Sequence, residues 1–142
     1  MALMLALSGM AVLLTLGGAL VTLTSTETAI AAGVREGVQT FYAAESGVAA
    51  AIRMLEAVPD WATVVNGATP LLARPFGELV AGAEVDTRLS VVVWVTDDPI
   101  EDPATLVVRS HAYGPRGAHR VIETTVRRSG QDVGVLDWRE WR

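Results

Sequence analysis

The chain has 142 residues, 51% of them apolar, a net charge of −5, and no cysteine. That length suits one domain. Arginine is the only strong cation, since there is no lysine, and an acidic balance argues against nucleic-acid binding, which calls for a basic patch. Without cysteine the chain has no disulfide framework and no thiol nucleophile.

The apolar residues are unevenly spread. No charged residue occurs from Met1 to Thr26, and the first cation is Arg35. A membrane-crossing helix needs roughly 20 apolar residues, and Met1 to Leu23 supplies them. The polar groups within that stretch are Ser8, Thr15 and Thr22, whose hydroxyls suit bonds back to the preceding helical turn. A domain this small has too little chain to wrap such a segment on every side. A secretory signal would carry a basic flank, a shorter apolar core and a small-residue cleavage site. Here no basic residue precedes the run. Orientation in a membrane normally relies on Lys/Arg on the cytoplasmic side, so the expectation is a basic leader already removed, with Met1 a processed end.

The helix is expected to continue. From Ser25 to Ala57 there is no proline, and Pro59 ends the segment. Val34, Val38, Phe41, Val48, Ile52 and Leu55 follow an alternating four–three rhythm, the spacing of an amphipathic stripe. Residues 1–24 thus read as a membrane-grade helical segment and 25–57 as its amphipathic continuation. One helix over both would be roughly 85 Å long. Glu45 completes the rhythm and so is expected to point into the stripe, where a carboxylate is costly unless paired. It either makes a registry contact with an arginine, of the sheet or of a neighbouring subunit, or is solvated where the stripe is uncovered.

Residues 58–82 read as a connecting loop. Asp60 is a candidate cap for one helical turn over 61–65, and Asn66-Gly67, Pro70 and Pro75 punctuate the rest. Residues 83–142 read as an antiparallel sheet domain. Ala83 to Thr96 alternates with period two, as a strand should. Thr105 to Ala112 and His119 to Arg128 form the arms of a hairpin joined by Tyr113-Gly114-Pro115-Arg116-Gly117-Ala118. Neither face of the second arm is strongly apolar, which places it near a sheet edge. Val133 to Trp138 adds a short last strand. The fold class is α+β: one long N-terminal helix packed by a small three- to four-stranded antiparallel sheet.

The apolar start Met1-Ala2-Leu3-Met4-Leu5, the hydroxyl-rich exit Thr22-Leu23-Thr24-Ser25-Thr26-Glu27 and the passage Phe41-Tyr42-Ala43-Ala44-Glu45-Ser46-Gly47 together resemble type IV pilins, the minor pilins of PilX type above all. That last passage is similar to the family's aromatic-x-Ala-Ala-Glu-x-Gly. Arg109-Ser110-His111-Ala112-Tyr113-Gly114 with Arg120-Val121-Ile122-Glu123 resembles the family's final hairpin, and Trp138-Arg139-Glu140 its C-terminal strand. The resemblance implies a prepilin cut by a prepilin peptidase and N-methylated at Met1. The mature subunit waits in the bacterial inner membrane with its C-terminal domain outside the cytoplasm. The pilus assembly machinery then packs it among other pilin subunits, helices inward and sheet domains outward, in an extracellular filament used in adhesion. Where the commonest pilins have glutamate, this chain has Leu5. Its absence suits a minor or tip-proximal subunit. A type II secretion pseudopilin and a signal-anchored envelope protein that binds a partner without polymerising are the alternatives.

Other candidates follow from residue type. Gly17 and Gly18 are places for close helix approach or local unwinding within a filament, alongside Gly9 and the pair Gly33 and Gly37. Asp97, Asp98, Glu101 and Asp102 are a weak calcium candidate, lacking a calcium loop's alternation and glycine; a solvated turn fits them better. His111 and His119 flank the hairpin turn without a third ligand and make no metal site. No cofactor is expected. No serine–histidine–acid pattern with supporting glycines is present, so no catalytic role is expected. Trp138 and Trp141 are either edge packing or an exposed adhesive surface.

Overall fold

In the computed structural model the described residues are 1–65, 69–79, 88–97, 104–130 and 132–141. Helix α1 spans Ala2–Ala57. A single 3-10 turn, Trp61–Thr63, follows, capped by Asp60, which accepts a hydrogen bond from the Ala62 amide at 3.0 Å. Then come β1 (Leu72–Pro75), the one-turn α2 (Phe76–Leu79), β2 (Ser90–Asp97), β3 (Thr105–Tyr113), β4 (His119–Ser129) and β5 (Asp132–Trp141). The five strands form one antiparallel sheet in sequence order.

The architecture is the expected α+β arrangement of long helix and small sheet, with five strands where three or four were expected. The extra strand is β1, inside the stretch expected to be a connecting loop; its proline-rich sequence disguises an edge strand, where a missing N–H costs nothing. The first long strand is described from Ser90 onward, and its expected start at 83–87 lies outside the described residues. The last strand runs to Trp141 and is longer than expected. It covers β4, so β4 is internal and does not lie at an edge. The polar groups that suggested an edge are satisfied where they sit: Thr124 donates to the Asp137 carbonyl at 2.7 Å, and Glu123 is ion-paired.

The chain divides into two compact units, Met1–Arg35 and Glu36–Arg142. The first is helix throughout, with its large apolar side chains in the open, as at Leu5, 74% exposed, and Leu14, 77% exposed. Thr15, Thr22, Thr24 and Thr28 donate to the carbonyls of Val12, Gly18, Leu20 and Thr24 at 2.7–2.9 Å, which hides their polarity inside the helix. Such a helix is long and apolar enough to cross a membrane.

The second unit holds the core. One sheet face carries Val91, Val93 and Val95 of β2, Leu106, Val108 and Ala112 of β3, and Ile122 and Val126 of β4. It packs on Ala43, Ala44, Gly47, Val48, Ala51 and Leu55 of α1. The buried helix face therefore differs from the expected stripe. Only Val48 and Leu55 belong to both; Val34 and Val38 are exposed and Phe41 and Ile52 half-buried. The face is chosen by size. A Cβ on Gly47 would collide with Ser110 Oγ and lie 2.5 Å from Val91 Cγ1 and 3.2 Å from Val93 Cγ2. The sheet lies so close to the helix that small residues are required beneath it.

Candidate functional site

Among the residues predicted to act, Met1, Leu5, Gly17 and Gly18 all lie on the open helical surface of the first unit. A Cβ at Gly17 or Gly18 would meet nothing within 4 Å, so neither glycine is needed for packing inside the chain. Glu45 is exposed, and it makes no ion pair among the described residues. The expectation that it points into the apolar stripe is corrected: the sheet settles on the small residues 43, 44, 47 and 51, and Glu45 falls on the opposite side of the helix. Asp97 ends β2 opposite Leu106, while Asp98, Glu101 and Asp102 lie outside the described residues. Among the described residues no group of three or more His, Asp or Glu side chains is placed to hold a metal.

The sheet arranges three groups of residues, of which the sequence pattern pairs only His111 with His119 and Trp138 with Trp141. The first lies on the face turned away from α1. Arg109, Glu123 and Arg139 sit directly opposite one another on β3, β4 and β5. Arg109 Nε donates to Glu123 Oε2 at 2.5 Å, and Arg139 Nε to Oε1 at 2.7 Å. The Glu123 side chain is 4% exposed and its two arginines are about half exposed. Burial by itself would push the carboxyl up. The hydrogen bonds and charges of the two arginines outweigh it and hold Glu123 below its ordinary 4.5.

Beside this triad, Tyr113, His119 and His111 stack in sequence, with ring centroids 4.6 Å and 5.5 Å apart. His111 Nδ1 and His119 Nε2 are 3.4 Å apart. Burial first, then the His119 ring and the Arg109 cation, hold His111 below its ordinary 6.5. The turn beneath them is pinned to α1. Arg116, at φ +52°, pairs with Glu36, and a Cβ on Gly114 would stand 2.5 Å from Thr40 Oγ1.

The second group closes the helix. The last turn of α1 has no basic residue of its own. Arg128 of β4 supplies the charge: its guanidinium donates to the carbonyls of Leu55 at 2.8 Å, Val58 at 2.5 Å and Pro59 at 2.6 Å. It lies over the Trp61 ring at 4.5 Å, and Trp61 Nε1 itself donates to the Leu55 carbonyl at 3.0 Å.

The third is the strand β5, which forms an edge of the sheet. Val135, Leu136, Trp138 and Trp141 are each about half exposed along it, and Trp138 meets Phe41 of α1 edge to face at 6.1 Å. Trp138 thus serves in packing and is also open. The hairpin register was a usable signal for the triad. Once the turn at 114–118 pairs Tyr113 with His119, strict antiparallel pairing puts Arg109 against Glu123. Nothing local announces Arg128, which acts across a sequence separation of 73 residues.

Apart from the buried Glu123 and Trp61, the charged and aromatic side chains of these groups lie at exposed or half-exposed positions of the described chain. What they make is surface: a largely apolar helical one in the first unit, uncharged over residues 1–26, and a polar, aromatic-rimmed sheet in the second. No protein-family model, no curated protein and no solved structure matches the chain.

Proposed function

We propose that the chain is a minor pilin or pilin-like structural subunit of a type IV pilus-like filament, with assembly and interaction as its role and no chemistry of its own. The single observation that carries this reading is the change of character along α1. Residues 1–26 are uncharged, exposed and internally hydrogen-bonded, and the later small-residue face is the spine of a sheet. An all-round apolar surface suits two environments, a bilayer before assembly and a bundle of like helices after it. Gly17 and Gly18 are then points of close approach between subunits. Glu45, exposed and without an ion pair in the described chain, is a contact to a neighbour. Leu5 suits a position where no glutamate is needed to meet another subunit's N-terminus.

The test is made in the native host. Surface filaments are sheared off and the chain is sought in them by mass spectrometry. The expected result is the chain in the sheared fraction with a methylated Met1. Glu45→Ala is expected to lower its amount there while the melting temperature of the purified chain stays unchanged, because Glu45 is exposed and makes no ion pair among the described residues. Retention of the chain wholly in the envelope, while other filament subunits shear off, would overturn the proposal and favour a non-polymerising anchored binding protein.

A further inference from the structure

The two edges of the sheet are guarded unequally. β1 is four residues long and ends in Pro75, which blunts it. β5 is ten residues long and carries neither proline nor lysine. Its guard is a bulge where Thr125 pairs with Asp137 and Val126 with Val135, which leaves Asp137–Trp141 as a regular strand with one side unpaired among the described residues. A regular open strand presents backbone donors and acceptors to another strand.

We propose that this segment pairs antiparallel with the same segment of a second copy of the chain, in the register that sets Trp138 against the partner's Trp138. Side-chain faces and charge single out both occupant and register. Asp137, Arg139 and Trp141 lie on the face away from α1, and Trp138 and Glu140 on the face toward it, as the ion pair of Arg139 with Glu123 and the Trp138–Phe41 contact require. A two-fold axis through the sheet keeps each face on its own side, so the axis must pass through a residue and not between two. Centred on Asp137 it opposes two carboxylates, on Arg139 two guanidinium groups, on Glu140 two carboxylates again, and on Trp141, where β5 ends, it pairs that residue of the strand alone. Centred on Trp138 it sets Asp137 against the partner's Arg139, and Arg139 against the partner's Asp137.

Both charges are available for this. Asp137 makes no ion pair among the described residues and is exposed. Arg139 uses Nε and one terminal nitrogen on Glu123, leaving the other terminal nitrogen for a second carboxylate. Two half-exposed indoles at the axis supply the apolar centre that an edge-to-edge contact needs, rimmed by the two charge pairs. The pairing lies wholly within the second unit and does not depend on the filament proposal.

The chain has no cysteine, so a single introduced thiol reports its own position. The experiment uses the full chain in detergent micelles under mild oxidation. Trp138→Cys is expected to form a disulfide-linked dimer, since facing residues of paired strands lie about 4.5–5.5 Å apart between Cα atoms. Glu140→Cys, which would face Leu136 of the partner subunit, is expected to cross-link at least about tenfold less. Adding Asp137→Arg to Trp138→Cys is expected to lower the cross-link at least about tenfold, because it opposes like charges at both pairs.

Equal cross-linking at 138 and 140, or a 138 cross-link indifferent to Asp137→Arg, would overturn the proposal. So would its absence in a chain whose circular dichroism is native. Should Trp138→Cys fail to fold, sedimentation of the wild-type chain against Asp137→Arg decides. A wild-type dimer that the charge change dissociates supports the pairing. No dimer, or a dimer unaffected by the charge change, refutes it.

Discussion

The earlier and later stretches of α1 are built on opposite rules. Over residues 1–35 side-chain identity is loosely constrained within the chain: nothing stands near Gly9, Gly17, Gly18 or Gly33, and the large apolar residues face outward. From Glu36 onward the positions facing the sheet are specified by a neighbour. Gly47 is fitted to Ser110, Val91 and Val93, Thr40 to Gly114, and Glu36 to Arg116. Helix-forming sequence alone is therefore a poor guide to what a helical residue does. A glycine costs about 1 kcal/mol of helix propensity in either stretch, but only in the later one does the structure supply a packing reason for it.

One substitution made in both stretches breaks or sharpens this contrast. Gly47→Val is expected to destabilise the second unit by about 3 kcal/mol, because the added atoms overlap sheet side chains that have no room to retreat. Gly17→Val is expected to change stability by no more than about 0.5 kcal/mol, the small propensity difference. Thermal melting of both full-length variants in detergent measures the difference; equal effects would refute the idea that only the later stretch is specified by packing.

Next in size is Arg128→Ala. It strips the charge from the Leu55, Val58 and Pro59 carbonyls and uncovers Trp61, and should cost about 2 kcal/mol by chemical denaturation. Arg128→Lys is expected to recover only part of this, since one ammonium does not reproduce the spread of a guanidinium over three carbonyls.

Smaller still is the pH dependence set by Glu123 and His111 of the second unit. Glu123 and His111 both have folded values below their unfolded ones. Each therefore contributes stability that is complete above its unfolded value and is lost as pH falls through its folded value. Melting temperature should begin to fall below the ordinary histidine value of 6.5, and fall further below the ordinary glutamate value of 4.5. His111→Gln is expected to remove the first loss and leave the second.

The smallest effect is expected at Ser110. Its hydroxyl is fully buried beside Gly47 and finds no hydrogen-bond partner among the described residues. Ser110→Ala should leave stability unchanged or raise it by up to about 1 kcal/mol, because it removes a buried polar group without a partner there. A loss of stability would show that the hydroxyl does have a partner.

Much of the fold was legible without tertiary information. The uncharged run, the long helix ending before Pro59, the Asp60 cap and the β3–β4 hairpin all follow from local rules, since each depends on residues within a few positions of one another. The helix stripe was misread because a hydropathy rhythm selects the bulky residues at 34, 38, 41 and 52, while the sheet settles on the small ones at 43, 44, 47 and 51. β1 was hidden for a related reason: a four-residue edge strand shows too little alternation to be seen before its partner β2 is in place.

By itself, then, the amino-acid sequence determined that this chain carries a helix of membrane grade and an antiparallel sheet, because charge distribution and short-range periodicity are local quantities. Tertiary structure decided which helical face meets the sheet, that Glu45 turns outward, that Glu123 is held between two arginines, that Arg128 caps a helix from a distant strand, and that β5 keeps an open edge. Those outcomes depend on how closely two surfaces approach and on which distant charge arrives, and neither is written in the spacing of neighbouring residues.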